Sequence, residues 1–236
     1  MTSRLMAVSA FAAAACLGAA LPSVATARAP AKKPAATSTL AAKPTSRGSV
    51  SVGNPNAQKR LVEYISYTCG HCANFSAQSS LPLKTYVSSG KASVEYRSFL
   101  LNPFDFAAAL LAHCGGTAKF PGNHQYLLAT QKSWMGNIQK ATPAQQNNWM
   151  QGTYTARLTT IATDIGLIEL MKTRGITAVQ AKVCLADEAK QTQLLDMTEE
   201  GQKLGINGTP SFLLNGALLP DVHDWTSVKA ALDRPA

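Results

Sequence analysis

Two cysteines separated by two residues are the part of the chain best suited to chemistry. Cys69 and Cys72 enclose Gly70 and His71, and an apolar, β-rich run at positions 61–65 leads into them. A strand that delivers Cys-x-x-Cys to the start of a helix places the first sulfur where free backbone N–H groups and the helix dipole favour a thiolate. A protonated His71 would favour that thiolate further. The spacing therefore predicts a redox dithiol in which Cys69 reacts and Cys72, one helical turn behind, closes the disulfide.

A Cys-x-x-Cys pair also occurs in zinc sites and as a structural bridge. A zinc site needs two further ligands, and the remaining cysteines, Cys16, Cys114 and Cys184, are scattered and form no second pair. A structural bridge over so few residues would stabilise the fold little. We therefore expect neither a metal nor another cofactor at this site.

A second motif lies far along the chain, at residues 205–216. A glycine that can end a helix, a Thr-Pro pair, a short apolar strand and an Asn-Gly turn follow one another there. Together with the dithiol, this motif resembles the thioredoxin superfamily, and more closely its DsbA-like thiol:disulfide oxidoreductases of bacterial envelopes. The resemblance implies an α/β, thioredoxin-like fold with a helical insertion. It also implies a cis Thr209–Pro210 bond, whose loop packs against the dithiol and binds substrate.

The resemblance assigns a role to Glu63 as well. DsbA-like proteins carry an acidic residue beneath the active site, which would make Glu63 a catalytic residue that moves protons to and from Cys72. From the pattern alone, the alternative for a charge within an apolar strand is an exposed residue at the edge of a sheet.

The two cysteines that follow the dithiol, Cys114 and Cys184, are either free buried thiols or a disulfide. An even pair left over in an exported protein favours the disulfide. Some DsbA-like proteins contain a second, structural disulfide in their helical region, which fits this pairing. The Gly-His dipeptide of the dithiol departs from the Pro-His of strongly oxidising members and matches that of protein disulfide isomerase, a milder oxidant. This departure leaves the chemistry unchanged and the oxidising strength open.

The elements that position these motifs follow from hydrophobic periodicity and helix caps. Strands are predicted at 50–52, 60–66 and 92–100. Helices are predicted from Cys69 with an interruption near Pro82, at 104–114, near 122–132 and 143–172, from a Thr177 cap to Cys184, from an Asp187 cap to Gly205, and at 224–232. The thioredoxin-like domain is accordingly expected in two parts, 49–102 and 187–236, which flank a helical insertion at 103–186.

The N-terminal region is typical of an exported protein. Residues 1–27 combine Arg4, an apolar run and an Ala-x-Ala site, as in a cleaved signal peptide that would remove Cys16. Residues 28–48 are rich in Ala, Pro, Lys, Thr and Ser and predict a disordered tether. The net charge of +9 resides largely here, because the first 62 residues hold 8 of the 22 basic residues and none of the 13 acidic ones. The charge therefore does not indicate a nucleic-acid partner.

These features predict a periplasmic enzyme that introduces disulfides into reduced exported proteins. The resemblance implies reoxidation by a membrane partner of the quinone-linked DsbB type. A tether in place of a folded N-terminal domain favours a monomer. Two other functions stay open: a disulfide isomerase or reductase, and a metal-binding or holdase protein of the envelope, for which the chain lacks a Met-rich or His-rich tract.

Overall fold

The computed structural model describes residues 40–235. The predicted signal peptide and residues 28–39 of the predicted tether lie outside the described residues. Within residues 40–235, no helix combines the length and the apolar character needed to cross a membrane.

The described residues form one sheet and a set of helices, most of which lie between β4 and β5. The strands are β1 (Ala42–Pro44), β2 (Val50–Gly53), β3 (Lys59–Ile65), β4 (Ala92–Ser98), β5 (Ser211–Leu214) and β6 (Ala217–Leu219). The helices are α1 (Gly70–Ser88), α2 (Pro103–His113), α3 (Phe120–Ala129), α4 (Gln131–Lys140), α5 (Pro143–Asn148), α6 (Tyr154–Asp164), α7 (Leu167–Lys172), α8 (Ala178–Leu185), α9 (Glu188–Lys203) and α10 (Trp225–Asp233).

One mixed sheet positions the dithiol. Its strand order is β1-β2-β4-β3-β5-β6, with β3 parallel to β4 and antiparallel to β5. Strand β3 is paired on both sides, and its residues are buried from Leu61 to Ile65. Glu63 is therefore not an edge residue, and the exposed alternative is wrong. The carboxyl end of β3 leads into α1, which is where α/β sheets place their chemistry.

Helix α1 runs through Pro82 without a break, so the predicted interruption near this residue is wrong. Proline removes one backbone donor from a helix but need not end it. The buried positions of α1, which include Phe75, Leu83 and Val87, recur every three or four residues on both sides of Pro82. This continuous apolar face packs on the sheet and favours one helix throughout.

The region between β4 and α9 is helical, as the resemblance implies. Helix α2 is buried from Asp105 to Ala112 and forms the centre of this insertion. The predicted helical stretch at 143–172 consists of α5, α6 and α7, and positive φ angles at Gly152 (81°) and Gly166 (80°) mark the turns between them. The side chains of Thr177 and Asp187 cap α8 and α9, as predicted.

The prediction of a disordered tether is wrong for the last residues of the stretch 28–48. Strand β1 pairs with β2, with Ala42 opposite Val52. Arg47 then forms an ion pair with Glu200 on α9, with 2.9 Å between Nε and Oε2. Strand pairing uses backbone groups, so a segment without apolar bulk can still extend the edge of a sheet.

Candidate active site

The dithiol lies at the junction of β3 and α1. Cys69 is the N-cap residue of α1 and is partly exposed, whereas Cys72 is completely buried in the first turn. Both thiols are free. An attacking molecule can therefore reach only the Cys69 sulfur from solvent, and His71 beside it is exposed.

Several donors lower the pKa of the Cys69 thiol to about 5. The largest contribution is the hydrogen bond from the Cys72 side chain, and partial burial opposes it. The backbone N–H groups of Cys72 and His71 lower the pKa further. The main-chain N–H groups at the start of α1 therefore act as the sequence predicts for a helix N-terminus. Among these contributions His71 acts through its backbone amide rather than through its imidazole.

We expect Cys69 to be a thiolate at neutral pH. Titration of thiolate ultraviolet absorbance in reduced protein should give a transition near the pKa of about 5. Replacing Cys72 with alanine should move this transition upward, because it removes the strongest donor to the sulfur. Cys72→Ser should move it less, because a hydroxyl can still donate. A wild-type transition near about 8.5, the value of an unperturbed cysteine, would contradict the assignment.

The same pKa predicts how the stability of the reduced protein depends on pH. A depressed pKa in the folded state stabilises that state above the ordinary cysteine pKa, and this stabilisation is lost as pH falls through the folded pKa of about 5. The oxidised protein lacks this titration at Cys69. The unfolding temperature of the reduced form should therefore decline relative to that of the oxidised form on acidification, and parallel declines in both forms would contradict it.

Cys72 has the opposite electrostatic environment. Burial raises the pKa of its thiol well above the ordinary value, and the charges of Cys69 and Glu63 raise it further. The two thiols of the dithiol thus differ strongly in pKa. One is poised as an accessible thiolate, and the other is kept protonated in the interior.

Glu63 is buried on the face of β3 that packs against α1. Its side chain is 2% exposed, and Oε1 has no hydrogen-bond partner among the described residues. Burial raises the pKa of this carboxyl to about 8. A carboxyl with such a pKa can hold or release a proton near neutral pH, which is the property that a proton-transfer residue needs.

The Thr209–Pro210 loop packs directly against the dithiol. The Thr209–Pro210 bond is cis. Cys69 Sγ lies 3.0 Å from the Thr209 carbonyl oxygen, to which the protonated thiol donates a hydrogen bond, although 140 positions separate the two residues. The structure therefore brings together the Cys-x-x-Cys motif and the Thr-Pro motif.

His223 contacts this loop as well, and no sequence motif points to it. Its Nδ1 lies 2.9 Å from the carbonyl oxygen of Pro210. The residue stands just before α10, and the sequence around it carries no motif that would connect it with the dithiol.

Three insertion-side residues hold the loop between β3 and α1, and we call them the loop clamp: Asn102, Asp105 and Gln131. Asp105 Oδ1 accepts from the backbone N–H of Tyr67 at 2.7 Å. Gln131 Nε2 donates to the carbonyl oxygens of Tyr67 and Cys69 at 2.8 and 2.9 Å. Asn102 donates to the Thr68 hydroxyl at 2.9 Å. The insertion therefore fixes the backbone on which the reactive sulfur stands.

Gln131 is a positioning residue in this arrangement, and Gln131→Met tests it. Methionine has a similar size but no donor, so one buried and one partly buried carbonyl group lose a partner, at a cost of about 1–3 kcal/mol in unfolding free energy. We also expect the pKa of Cys69 to rise, because the N-cap backbone is no longer held. Gln139→Met, at an exposed position of the same helix, is the control. Lower stability with an unchanged Cys69 titration would show that Gln131 is structural only.

The two remaining described cysteines are joined. The Cys114–Cys184 bond has an S–S distance of 2.05 Å and a Cα–Cα distance of 5.6 Å. It connects the end of α2 to α8 near the end of the insertion. Within residues 40–235, no group of three or more His, Cys, Asp and Glu side chains is arranged to hold a metal ion.

Comparison with known proteins gives this geometry a family. The family model described as Thioredoxin matches residues 45–234, which is most of the chain. The chain belongs to the thioredoxin family. A solved structure described as a protein-disulfide isomerase from Novosphingobium aromaticivorans is 36% identical, with a TM-score of 0.73, over 78% of this chain and 97% of that one.

More distant thioredoxin-family members share the fold. Wolbachia pipientis alpha-DsbA1 is 20% identical, with a TM-score of 0.61, over 80% of this chain and 92% of that one. The DsbA-like fold with its helical insertion is thereby confirmed. A protein of Rickettsia bellii, provisionally named a protein-disulfide oxidoreductase, is 28% identical over 78% of this chain. The match spans 62% of that relative, so the chain corresponds to about three fifths of its length.

Proposed function

We propose that the protein is a periplasmic thiol:disulfide oxidoreductase that introduces disulfides into exported proteins. The observation that carries this proposal is the difference in pKa and exposure between the two cysteine sulfurs. A pKa of about 5 makes Cys69 a stable thiolate and hence a good leaving group. Stabilising the reduced dithiol in this way makes its disulfide a stronger oxidant.

The reaction begins with the Cys69–Cys72 disulfide. A thiolate of the reduced substrate attacks Cys69 Sγ, the enzyme disulfide breaks, and its bonding electron pair leaves on Cys72 Sγ, which takes up a proton. A second substrate thiolate then attacks the substrate sulfur of the mixed disulfide and expels Cys69 as a thiolate. The substrate loses two electrons and gains a disulfide, and the enzyme gains the same two electrons as a dithiol.

Two neighbouring groups assist these steps. Glu63 supplies and accepts the proton that Cys72 exchanges, because its raised pKa of about 8 allows both states near neutral pH. The cis-proline loop, at Thr209 and Pro210, binds an extended segment of the substrate beside Cys69. The contact between Cys69 Sγ and the Thr209 carbonyl oxygen places this loop next to the sulfur that carries the mixed disulfide.

The cellular setting completes the proposal. The signal-peptide pattern of residues 1–27 supports export. Reoxidation of the dithiol requires an electron acceptor, which the resemblance assigns to a quinone-linked membrane protein of the DsbB type. The enzyme acts as a monomer in this scheme.

The redox state of the dithiol in living cells tests the direction of electron flow. Acid quenching followed by alkylation preserves thiols and disulfides, and a mass shift of the alkylated protein reports Cys69–Cys72. We expect the pair to be mostly oxidised at steady state. A Cys69→Ser/Cys72→Ser variant calibrates the mass shift, because it retains the cysteines outside the dithiol. A mostly reduced pair would overturn the oxidase proposal.

A mostly reduced pair would favour the second candidate, a disulfide isomerase. The structural relative from Novosphingobium aromaticivorans carries that description at 36% identity. The Gly-His dipeptide between the cysteines is also that of the milder oxidant protein disulfide isomerase. An isomerase needs a Cys69 thiolate that is kept reduced, so the same assay separates the two functions.

A further inference from the structure

A cavity of about 240 Å³ lies between the sheet, α1 and α3, on the face of the sheet that carries Glu63. Its walls combine apolar side chains with the polar side chains of Ser76, Ser79, Ser80, Tyr96 and Gln125. The apolar lining includes Leu83 and Val87 of α1 and Val52 and Val94 of the sheet. An engineered cavity of about 150 Å³ holds benzene, so this one has room for an aromatic ring with a few further atoms.

Glu63 is the acidic group among the cavity-lining residues, and nothing described pairs with it. It is 2% exposed, and its Oε1 atom has no hydrogen-bond partner in the described part of the chain. The charged or basic side chains that share the cavity are Lys84, which is exposed, and His124, which is buried. His124 shares a hydrogen bond with the Tyr67 hydroxyl through Nδ1, and burial lowers the pKa of the imidazole to about 4.

A buried carboxyl group without a counter-ion can select the charge of a ligand. Because its pKa is about 8, Glu63 is mostly protonated at neutral pH, and a cationic ligand would stabilise its carboxylate form whereas an anionic one would not. A wholly apolar molecule would leave Oε1 unpaired at a cost. An ammonium group would give the carboxylate a charge-assisted hydrogen bond, which is about twice as strong as a neutral one. An apolar body attached to the ammonium would replace the empty space against Leu83 and Val94.

We propose that this cavity binds a small amphipathic amine, with the ammonium paired to Glu63 and the apolar body packed between α1 and the sheet. Binding would hold Glu63 as a carboxylate. A carboxylate at this position raises the pKa of Cys72, so an occupied cavity would act on the buried thiol of the dithiol. The site lies beneath the dithiol helix, separate from the substrate-facing loop of Thr209 and Pro210.

Benzylamine is the probe, and purified protein labelled for amide NMR is the target. We expect saturable shifts at amides of α1 and α3. Glu63→Gln should weaken the affinity by about tenfold or more, the effect of losing a hydrogen bond to a charged group. Glu188→Gln, at an exposed acid outside the cavity, should leave the affinity unchanged. Benzyl alcohol, which is neutral, should bind less tightly than benzylamine.

A second variant keeps the test decisive if Glu63→Gln alters the fold. Ser79 is buried and lines the cavity, so Ser79→Leu fills it while Glu63 stays in place. We expect this variant to lose benzylamine binding, whereas Ser88→Leu, at an exposed position of the same helix, should retain it. Absence of saturable binding to wild-type protein, or equal binding to Ser79→Leu, would overturn the proposal. Neither result bears on disulfide exchange, which is assayed separately.

Discussion

Replacing Cys69 with serine is expected to abolish disulfide exchange, whereas replacing Cys72 with serine should convert the protein into a trap for its substrates. The asymmetry follows from the positions of the two sulfurs. Cys69 is partly exposed with a pKa of about 5, and Cys72 is buried with a raised pKa. Every exchange step at the surface must therefore pass through Cys69.

In the Cys72→Ser variant, the Cys69 thiolate can still attack a substrate disulfide. The attack forms a mixed disulfide and releases one substrate thiolate, but no second enzyme thiol follows to break the bond. Non-reducing electrophoresis of cells that express this variant should show mixed-disulfide adducts with substrates, which disappear when a reductant is added. Their abundance should exceed that in wild-type cells by about tenfold or more, because the Cys72 thiol that would break the mixed disulfide is missing.

The double variant Cys69→Ser/Cys72→Ser is the control for this experiment. It should show no adducts, since the Cys114–Cys184 bond leaves no other described cysteine free. Adducts that persist in Cys69→Ser alone would mean that the buried Cys72 can be attacked. That outcome would contradict the assignment of the reactive sulfur.

Features encoded over a few consecutive residues could be predicted from the sequence. The strand that leads to the dithiol, the caps at Thr177 and Asp187 and the Asn215–Gly216 turn all rest on local physical chemistry. The turn residues adopt φ angles of 53° and 88°, as an Asn-Gly hairpin requires. The link between the dithiol and Thr209 came from resemblance, since no local pattern joins residues 140 positions apart.

Features that depend on distant packing could not be predicted in this way. Asp105 and Gln131 contact the dithiol loop across 38 and 62 or more positions, and neither belongs to a motif. The burial of Glu63 depends on β3 lying inside the sheet and on the helices α1 and α3 that cover its face, which the local sequence does not reveal. The missing backbone donor of Pro82 suggested a break in helix α1. Tertiary packing of the apolar face of this helix outweighs that local preference.

Replacing both Cys114 and Cys184 with alanine is expected to lower the unfolding temperature by about 10 °C. The bond joins residues 70 positions apart, so its loss frees a long loop in the unfolded chain. The chain-entropy account gives roughly 4 kcal/mol for a loop of this length, and strain in the folded state makes the realised stabilisation smaller. For a domain of this size, each kcal/mol shifts the unfolding temperature by about 2–4 °C.

Exchange activity should change little in the same variant. The bond clamps α2 to α8 inside the insertion, whereas the reactive sulfur is positioned by α1, the cis-proline loop and the loop clamp. Mild reductants should open Cys69–Cys72 before Cys114–Cys184, because Cys114 is 3% exposed and neither sulfur of that bond has the stabilised thiolate of Cys69. Thermal unfolding and an exchange assay on the variant and the wild type measure the two effects separately.

Counting free thiols decides whether the bond exists in solution. Oxidised mature protein, unfolded without reductant, should expose no reactive thiol if both pairs are bridged. Two reactive thiols, with an unchanged unfolding temperature in the double alanine variant, would show that Cys114 and Cys184 are ordinary core cysteines. A lower unfolding temperature together with lost exchange would instead show that the bond supports the dithiol itself, through the contact between α2 and the loop that Asp105 holds.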